Sequence, residues 1–169
     1  MIYRQAIKDD CYAIRTLIQE LADFEKMPDG PKISSKVLER DGFEVNPPCF
    51  GCFVAEMEDH EVDKYKNNNR IVGFALYNYA YATWTGKKMY LEDLIVTESF
   101  RSKGIGKKLF LKVVNKAKET GCAQLEFVVL SWNPAKEFYM KLGCNNMTET
   151  EEWSLYRLDA ENMSKLICS

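Results

Sequence analysis

The sequence predicts an α/β (α+β) chain in which a central mixed sheet carries helices on both faces. Three observations support this. Strand-like and helix-like segments follow one another in the order βααβββαβαβ, with three consecutive apolar strand candidates that read as an antiparallel meander. A strand, a glycine-rich turn and a helix run without a break from Tyr90 to Lys118. Near the end, Leu125, Phe127 and Val129 alternate with Glu126 and Val128 before Asn133-Pro134 opens another helix.

The elements can be justified in turn. Ile2 to Gln5 forms a short strand, and Asp9 or Asp10 caps a helix whose Ile14, Leu17, Ile18 and Leu21 keep helical spacing. A linker with Pro28, Gly30 and Pro31 leads to a second, short helix from Ser34 or Ser35 to about Gly42. Cys52–Met57 and Ile71–Tyr81 are apolar strands either side of the polar stretch 58–69, and Trp84-Thr85-Gly86 turns into the strand Met89–Val96. The helix from Lys107 stops at Gly121, and the helix from Pro134 stops at Gly143. Trp153–Leu158 reads as a final strand, followed by a short amphipathic tail.

Bulk properties narrow the function classes. A chain of 169 residues with 46% hydrophobic and 28% charged residues suits one domain, taken as 1–169, with a sizeable core. The net charge of −2 lacks the basic excess of nucleic-acid binders, so small or cationic ligands are favoured over polyanions. Met1-Ile-Tyr-Arg-Gln-Ala6 does not resemble a secretion signal and no segment is apolar enough to span a membrane, so a cytoplasmic location is expected. The six cysteines are then reduced thiols, and the sequons at Asn146 and Asn162 stay unmodified. Cys49-Phe-Gly-Cys52 has no second pair, and His60 sits in a polar stretch. Structural thiols therefore fit better than a metal or redox centre, and no metal is expected.

The junction after Tyr90-Leu-Glu-Asp-Leu-Ile-Val96 holds the chemistry. Arg101 gives a fixed positive charge, and Ser102, Lys103, Gly104, Ile105, Gly106 and Lys107 lead backbone N–H groups into a helix N-terminus, which suits a phosphorylated cofactor. A Walker loop is excluded because no glycine stands five residues before Gly106. A dinucleotide fingerprint is excluded because position 109 is leucine. What remains is R-x-x-G-x-G between strand and helix, and further on Asn133 precedes Phe138-Tyr139-Met-Lys-Leu-Gly143.

These two halves resemble the acyl-CoA motif of the GNAT superfamily of N-acetyltransferases. Leu21-Ala-Asp-Phe-Glu25, Asp41-Gly-Phe43, Val72-Gly-Phe-Ala75, Tyr90-Leu-Glu-Asp93 and Glu152-Trp153 make the chain most similar to the diamine acetyltransferases, including those that acetylate thialysine. The resemblance covers nearly the whole chain. It implies the GNAT fold, a mostly antiparallel twisted sheet flanked by helices, with acetyl-CoA as acetyl donor and a homodimer with sites near the subunit interface. It also implies that Leu94, Ile95 and Val96 pair with the pantetheine arm, that Asn133 contacts CoA, and that Phe24, Glu25, Glu126, Phe127, Val128 and Glu151 line an amine channel.

Chemistry assigns the remaining roles. Tyr139 is the candidate acid: a phenol with a reference pKa near 10 can protonate a departing thiolate, although an isolated Phe-Tyr pair would read as core packing. An alkylamine with a pKa of about 10.4 is only about one part in 2,500 neutral at pH 7, so a base is needed. Glu92 is the candidate, either as base or as a charge partner for the amine. Asp93 is the neighbouring substrate carboxylate, and strict strand alternation would let only one of the two face a cleft. Trp84 and Trp153 offer ring faces to a cationic chain, while Tyr77, Tyr79 and Tyr81 read as sheet packing.

Two departures from the diamine enzymes limit the resemblance. Tyr81-Ala-Thr-Trp84 lacks the acid usual in that turn, which leaves polyamines, short diamines and a lysine-like amino acid all open as substrates. One residue fewer separates Asn133 from Tyr139, while Tyr139 keeps its spacing to Gly143. The leading expectation is acetyl transfer to a primary amine of a small polyamine or diamine by direct attack in a ternary complex. Thialysine acetylation is the alternative, an acyl-CoA-binding regulatory module the non-enzymatic rival, and nucleic acid and membrane are excluded as partners.

Overall fold

The computed structural model describes residues 1–60 and 70–167 and forms two units, Met1–Val128 and Val129–Ser169. The first unit contains the sheet. Its strands are β1 (Ile2–Gln5), β2 (Gly51–Glu56), β3 (Ile71–Ala82), β4 (Gly86–Val96) and β5 (Gln124–Glu126), in that spatial order. The first three pairings are antiparallel and the last, β4 with β5, is parallel, so the sheet is mixed as expected.

Helix α1 (Cys11–Phe24) buries Cys11, Ile14, Leu17 and Ala22. The first three of these pack in one cluster with Leu38, Cys52, Val54, Phe74, Leu76 and Ile95. Helix α3 (Ile105–Glu119) buries Ile105, Leu109, Phe110, Val113 and Ala117, a stripe at helical spacing. The pleat places the two helices on opposite faces of the sheet. Phe74 points into the α1 cluster, whereas a side chain on Gly73 would meet Leu109 of α3 at 3.3 Å. Burial of this largely aliphatic surface, with Val54, Val72, Phe74, Met89, Leu109 and Val113 wholly enclosed, is what drives the unit together.

Between α1 and β2, α2 (Ser35–Glu39) continues into a single π-helical turn, Arg40–Glu44, so the second helix extends past the expected stop at Gly42. β3 and β4 form one long hairpin through residues 83–85. β5 is shorter than the alternation over 125–129 predicts. After Glu126 the Phe127 ring packs edge-on against Phe110 of α3, with centroids 5.9 Å apart, so packing on the helix wins over continued pairing.

The second unit holds α4 (Ala135–Lys141), α5 (Met147–Glu151) and α6 (Ala160–Ile167). Helix α5 has no counterpart in the sequence reading. The strand expected over Trp153–Leu158 does not form: the segment is irregular, and Trp153, Leu155, Tyr156 and Leu158 are all exposed. Strand propensity is realised only when a neighbouring ladder takes up the backbone groups, and none of the described strands pairs with this segment. The polar stretch 58–69 lies outside the described residues from 61 onwards, as does Cys168. Among the described residues no helix is long and apolar enough to cross a membrane.

Candidate active site

β4 shapes the site by breaking its own alternation. Leu76 pairs with Asp93 and Tyr77 with Leu91, so Glu92 is the extra residue of a β-bulge. A bulge re-aims the side chains around it. The result corrects the expectation from strict alternation, because Glu92 and Asp93 both line one cavity of about 300 Å³. Its walls are apolar, from Ile18 of α1, Val37 and Leu38 of α2, Phe50 and Leu76, and Asp41 of the π-helical turn adds a third carboxylate.

The carboxylates are not equivalent. Burial first, then the charges of Glu92 and Glu25, push the Asp93 carboxyl up to about 6. Glu25, just past the end of α1, is itself raised by burial. Glu92 is exposed, and Asp41 is held low by the Arg40 guanidinium that bonds it at 2.7 Å. The pocket therefore combines a hydrocarbon lining with three carboxylates. Asp41 enters the sequence reading only through the Asp41-Gly-Phe43 resemblance, and neither it nor the apolar wall residues are assigned to a site there. They come from four separate segments, and nothing short of the fold brings them to one place.

Beyond the bulge, β4 runs to Val96 and β5 pairs only with Lys88, Met89 and Tyr90. Leu94, Ile95 and Val96 thus have no strand partner, among the described residues, on the edge away from β3. A 3-10 turn, Glu98–Phe100, follows, anchored by the buried Phe100. Arg101 donates from Nε to the Val96 carbonyl at 2.9 Å and sets its guanidinium 4.9 Å from the centre of the Phe24 ring. Lys103 donates to the Ser99 carbonyl at 3.0 Å.

Ser102 (φ 61) and Gly104 (φ 78) are both left-handed, which turns successive N–H groups inward ahead of α3. The orphan N–H groups of the first turn of α3 follow at once. Gly106 has room for more than it carries: an added Cβ would touch only a Val96 methyl, at 3.7 Å. Packing does not require glycine there, so the small residue leaves the approach to these donors clear. Fixed cation, inward N–H groups and clear space fit a pyrophosphate.

Other predicted residues of the first unit lie elsewhere. Trp84 sits at the hairpin tip, 87% exposed, and the six residue steps of strand from Gly86 to Glu92 put it roughly 20 Å away. Glu126 is bonded by Lys88 and Gln124, Phe127 packs on α3 and Val128 is exposed. Within the first unit these residues do not join the Glu92–Asp93 cavity. Cys49 is exposed and Cys52 buried in β2, both free thiols, and burial raises the Cys52 thiol.

In the second unit Asn133 accepts from the Ala135 N–H at 2.9 Å and so caps α4. Tyr139 packs against Phe138, with ring centroids 5.0 Å apart, and burial pushes its phenol up to about 12. The phenol therefore keeps its proton near neutrality. Trp153 donates from its indole to Glu151 at 2.6 Å.

Residues 14–144, which hold the bulged strand, the turn and Tyr139, match the acetyltransferase (GNAT) family. The chain belongs to that family. This GNAT acetyltransferase is 40% identical to thialysine N-epsilon-acetyltransferase of Sus scrofa over 167 residues, covering 98% of this chain and 96% of that one. It is 37% identical over 161 residues to spermidine/spermine N(1)-acetyltransferase-like protein 1 of Homo sapiens, covering 95% of this chain and 23% of that one. Its fold is similar to that of an aminoglycoside N-acetyltransferase solved in complex with CoA, with a TM-score of 0.62 at 22% identity over 94% of this chain and 100% of that one. The protein is an acyltransferase, and acetyl-CoA is its acetyl donor.

Proposed function

We propose that this acetyltransferase acetylates a primary amine of a small diamine or polyamine by direct attack in a ternary complex. The observation that carries this reading is the bulge, which puts Glu92 and Asp93 side by side in an apolar cavity on the strand that leads to the Arg101–Gly106 turn. An alkyl chain matches the walls, an ammonium matches the carboxylates, and Asp41 offers a counter-charge for a second ammonium.

Bound acetyl-CoA supplies the activated acyl group. Arg101 and the N–H groups of Ser102 to Lys107 would hold its pyrophosphate, and the free edge of Leu94, Ile95 and Val96 would align its pantetheine arm. Asp93 holds the incoming ammonium, and Glu92, exposed to solvent, takes its proton directly or through water. As the C–N bond forms and the C–S bond breaks, Tyr139 gives its phenolic proton to the departing thiolate. That role rests on its chemistry and its place in the motif, with the phenol protonated near neutrality. The capping bond made by Asn133 supports a structural part for that residue, with its remaining amide group left for the cofactor. Phe24, Glu25, Glu126, Phe127, Val128 and Glu151 stay assigned to the amine channel by family resemblance. Trp84 and Trp153 are carried only as ring faces for a cationic chain, with Trp84 standing away from the Glu92–Asp93 cavity, and the protein is taken as a cytoplasmic homodimer.

Thialysine or a lysine-like amino acid is the second reading, favoured by the names of relatives 40% identical to this chain. The charged residues that line the cavity are all acidic, which argues the other way, because they would repel an α-carboxylate. Acetyl-CoA turnover over spermidine, short diamines and thialysine decides between them. The highest kcat/KM is expected on a diamine or polyamine. Highest turnover on thialysine selects the second reading, and no acetylation of any amine overturns both.

A further inference from the structure

We infer that Glu20 is a positioning residue for the acetyl-CoA site. The five residues Thr97 to Arg101 connect the free edge of β4 to the anion turn, so their geometry sets where Arg101 and the following N–H groups stand. Thr97 occupies the N-cap of the 3-10 turn, where a hydroxyl ordinarily accepts a bond from the turn's own backbone. It makes no such bond. Instead Thr97 donates its hydroxyl to the Glu20 carboxylate, 2.6 Å from Oε2, and the Glu98 N–H donates to Glu20 Oε1 at 3.1 Å. The cap is thus supplied by helix α1, from 77 residues away in sequence.

Helix α1 holds the other end of the connection as well. Phe24 stands four residues after Glu20, on the same helix face, and its ring lies under the Arg101 guanidinium. Arg101 in turn bonds back to the Val96 carbonyl. Glu20 and Phe24 therefore clamp the segment at its start and its finish. A carboxylate beside a phosphate site is electrostatically unfavourable for anion binding. The gain from Glu20 is then geometric: it fixes the donors before the cofactor arrives, and this ordering appears as affinity.

The inference rests on the reading of Arg101–Gly106 as the CoA cradle, and the test separates the two. Binding of CoA is measured by calorimetry on the whole protein. Glu20→Ala and Thr97→Val are each expected to weaken CoA roughly five- to tenfold at unchanged stoichiometry, with little further loss in the double variant. Glu20→Gln should restore the affinity to within about twofold, because its amide can accept from Glu98 and donate to Thr97. Gly106→Ala is the control: it fits the helix, yet obstructs the approach and should weaken CoA.

If Gly106→Ala binds CoA normally, the cradle is elsewhere and that reading falls. If Gly106→Ala weakens CoA while Glu20→Ala and Thr97→Val do not, Glu20 has no positioning role. Tighter binding by Glu20→Ala, or a reduced stoichiometry at unchanged Kd, also overturns the inference. The first shows that repulsion dominates, and the second that the residue only supports folding. Should Glu20→Ala not fold, Thr97→Val carries the same comparison.

Discussion

Asp93 stores an electrostatic cost that the fold tolerates for the sake of the site. Its carboxyl is raised to about 6 in the folded chain, above the value of about 3.9 expected when unfolded. A raised acid binds its proton more tightly when folded, so its full contribution to stability is present below about pH 4 and is lost as pH rises through about 6. Asp93→Asn should therefore stabilise the protein at pH 8 by about 1–3 kcal/mol, with the gain vanishing near pH 4, as read by urea unfolding at both values. The same substitution should raise KM for a diamine and remove an acid limb near pH 6 from kcat/KM. A variant no more stable than wild type at pH 8 would show that Asp93 is not desolvated. Tyr139→Phe is expected to lower kcat about 10²-fold with substrate KM values little changed, and full turnover by this variant would take the acid role from Tyr139. Both residues enter as sequence expectations, Tyr139 through the resemblance of the downstream motif and Asp93 as the neighbour of Glu92 before the glycine turn. That Asp93 is the more perturbed acid depends on what buries it, and this was not local.

At the scale of elements, the strands and helices that bury a stripe or a face were readable: α1, α3, α4 and the β2–β4 meander stand close to where periodicity puts them. The failures share a cause. The Trp153–Leu158 segment has strand residues and no partner ladder, β5 yields to packing of Phe127, and the bulge at Glu92 is invisible to a pattern of period two. Close packing between elements also explains one fixed residue. A side chain on Gly73 would stand 2.7 Å from the Ile95 carbonyl oxygen and 3.3 Å from both Leu109 and the Val96 backbone. Gly73→Ala must push β3 away from β4 and α3, at an expected cost of about 1–3 kcal/mol. Thermal unfolding measures that cost. An unchanged midpoint would mean that the hairpin relaxes freely at this point.

For the whole molecule, exposed rings are conspicuous on a chain this size: Tyr81 and Trp84 at the hairpin tip, and Trp153 and Tyr156 in the second unit. If the homodimer proposed above forms, these rings are the side chains it is expected to cover. Light scattering should give twice the chain mass of 19.6 kDa, and a value of 19.6 kDa would exclude the dimer under those conditions. By itself the sequence determined an anion-binding turn, the strand that feeds it and the main helices, because each is written in short-range spacing and in the order of segments, and the family followed from the resemblance of its motifs. Only the tertiary structure decided that Glu92 and Asp93 share one cavity, that Asp41, Val37 and Phe50 wall it, and that Glu20 caps the approach to the anion turn. Those contacts join residues tens of positions apart, and their energies exist only once burial has brought them together.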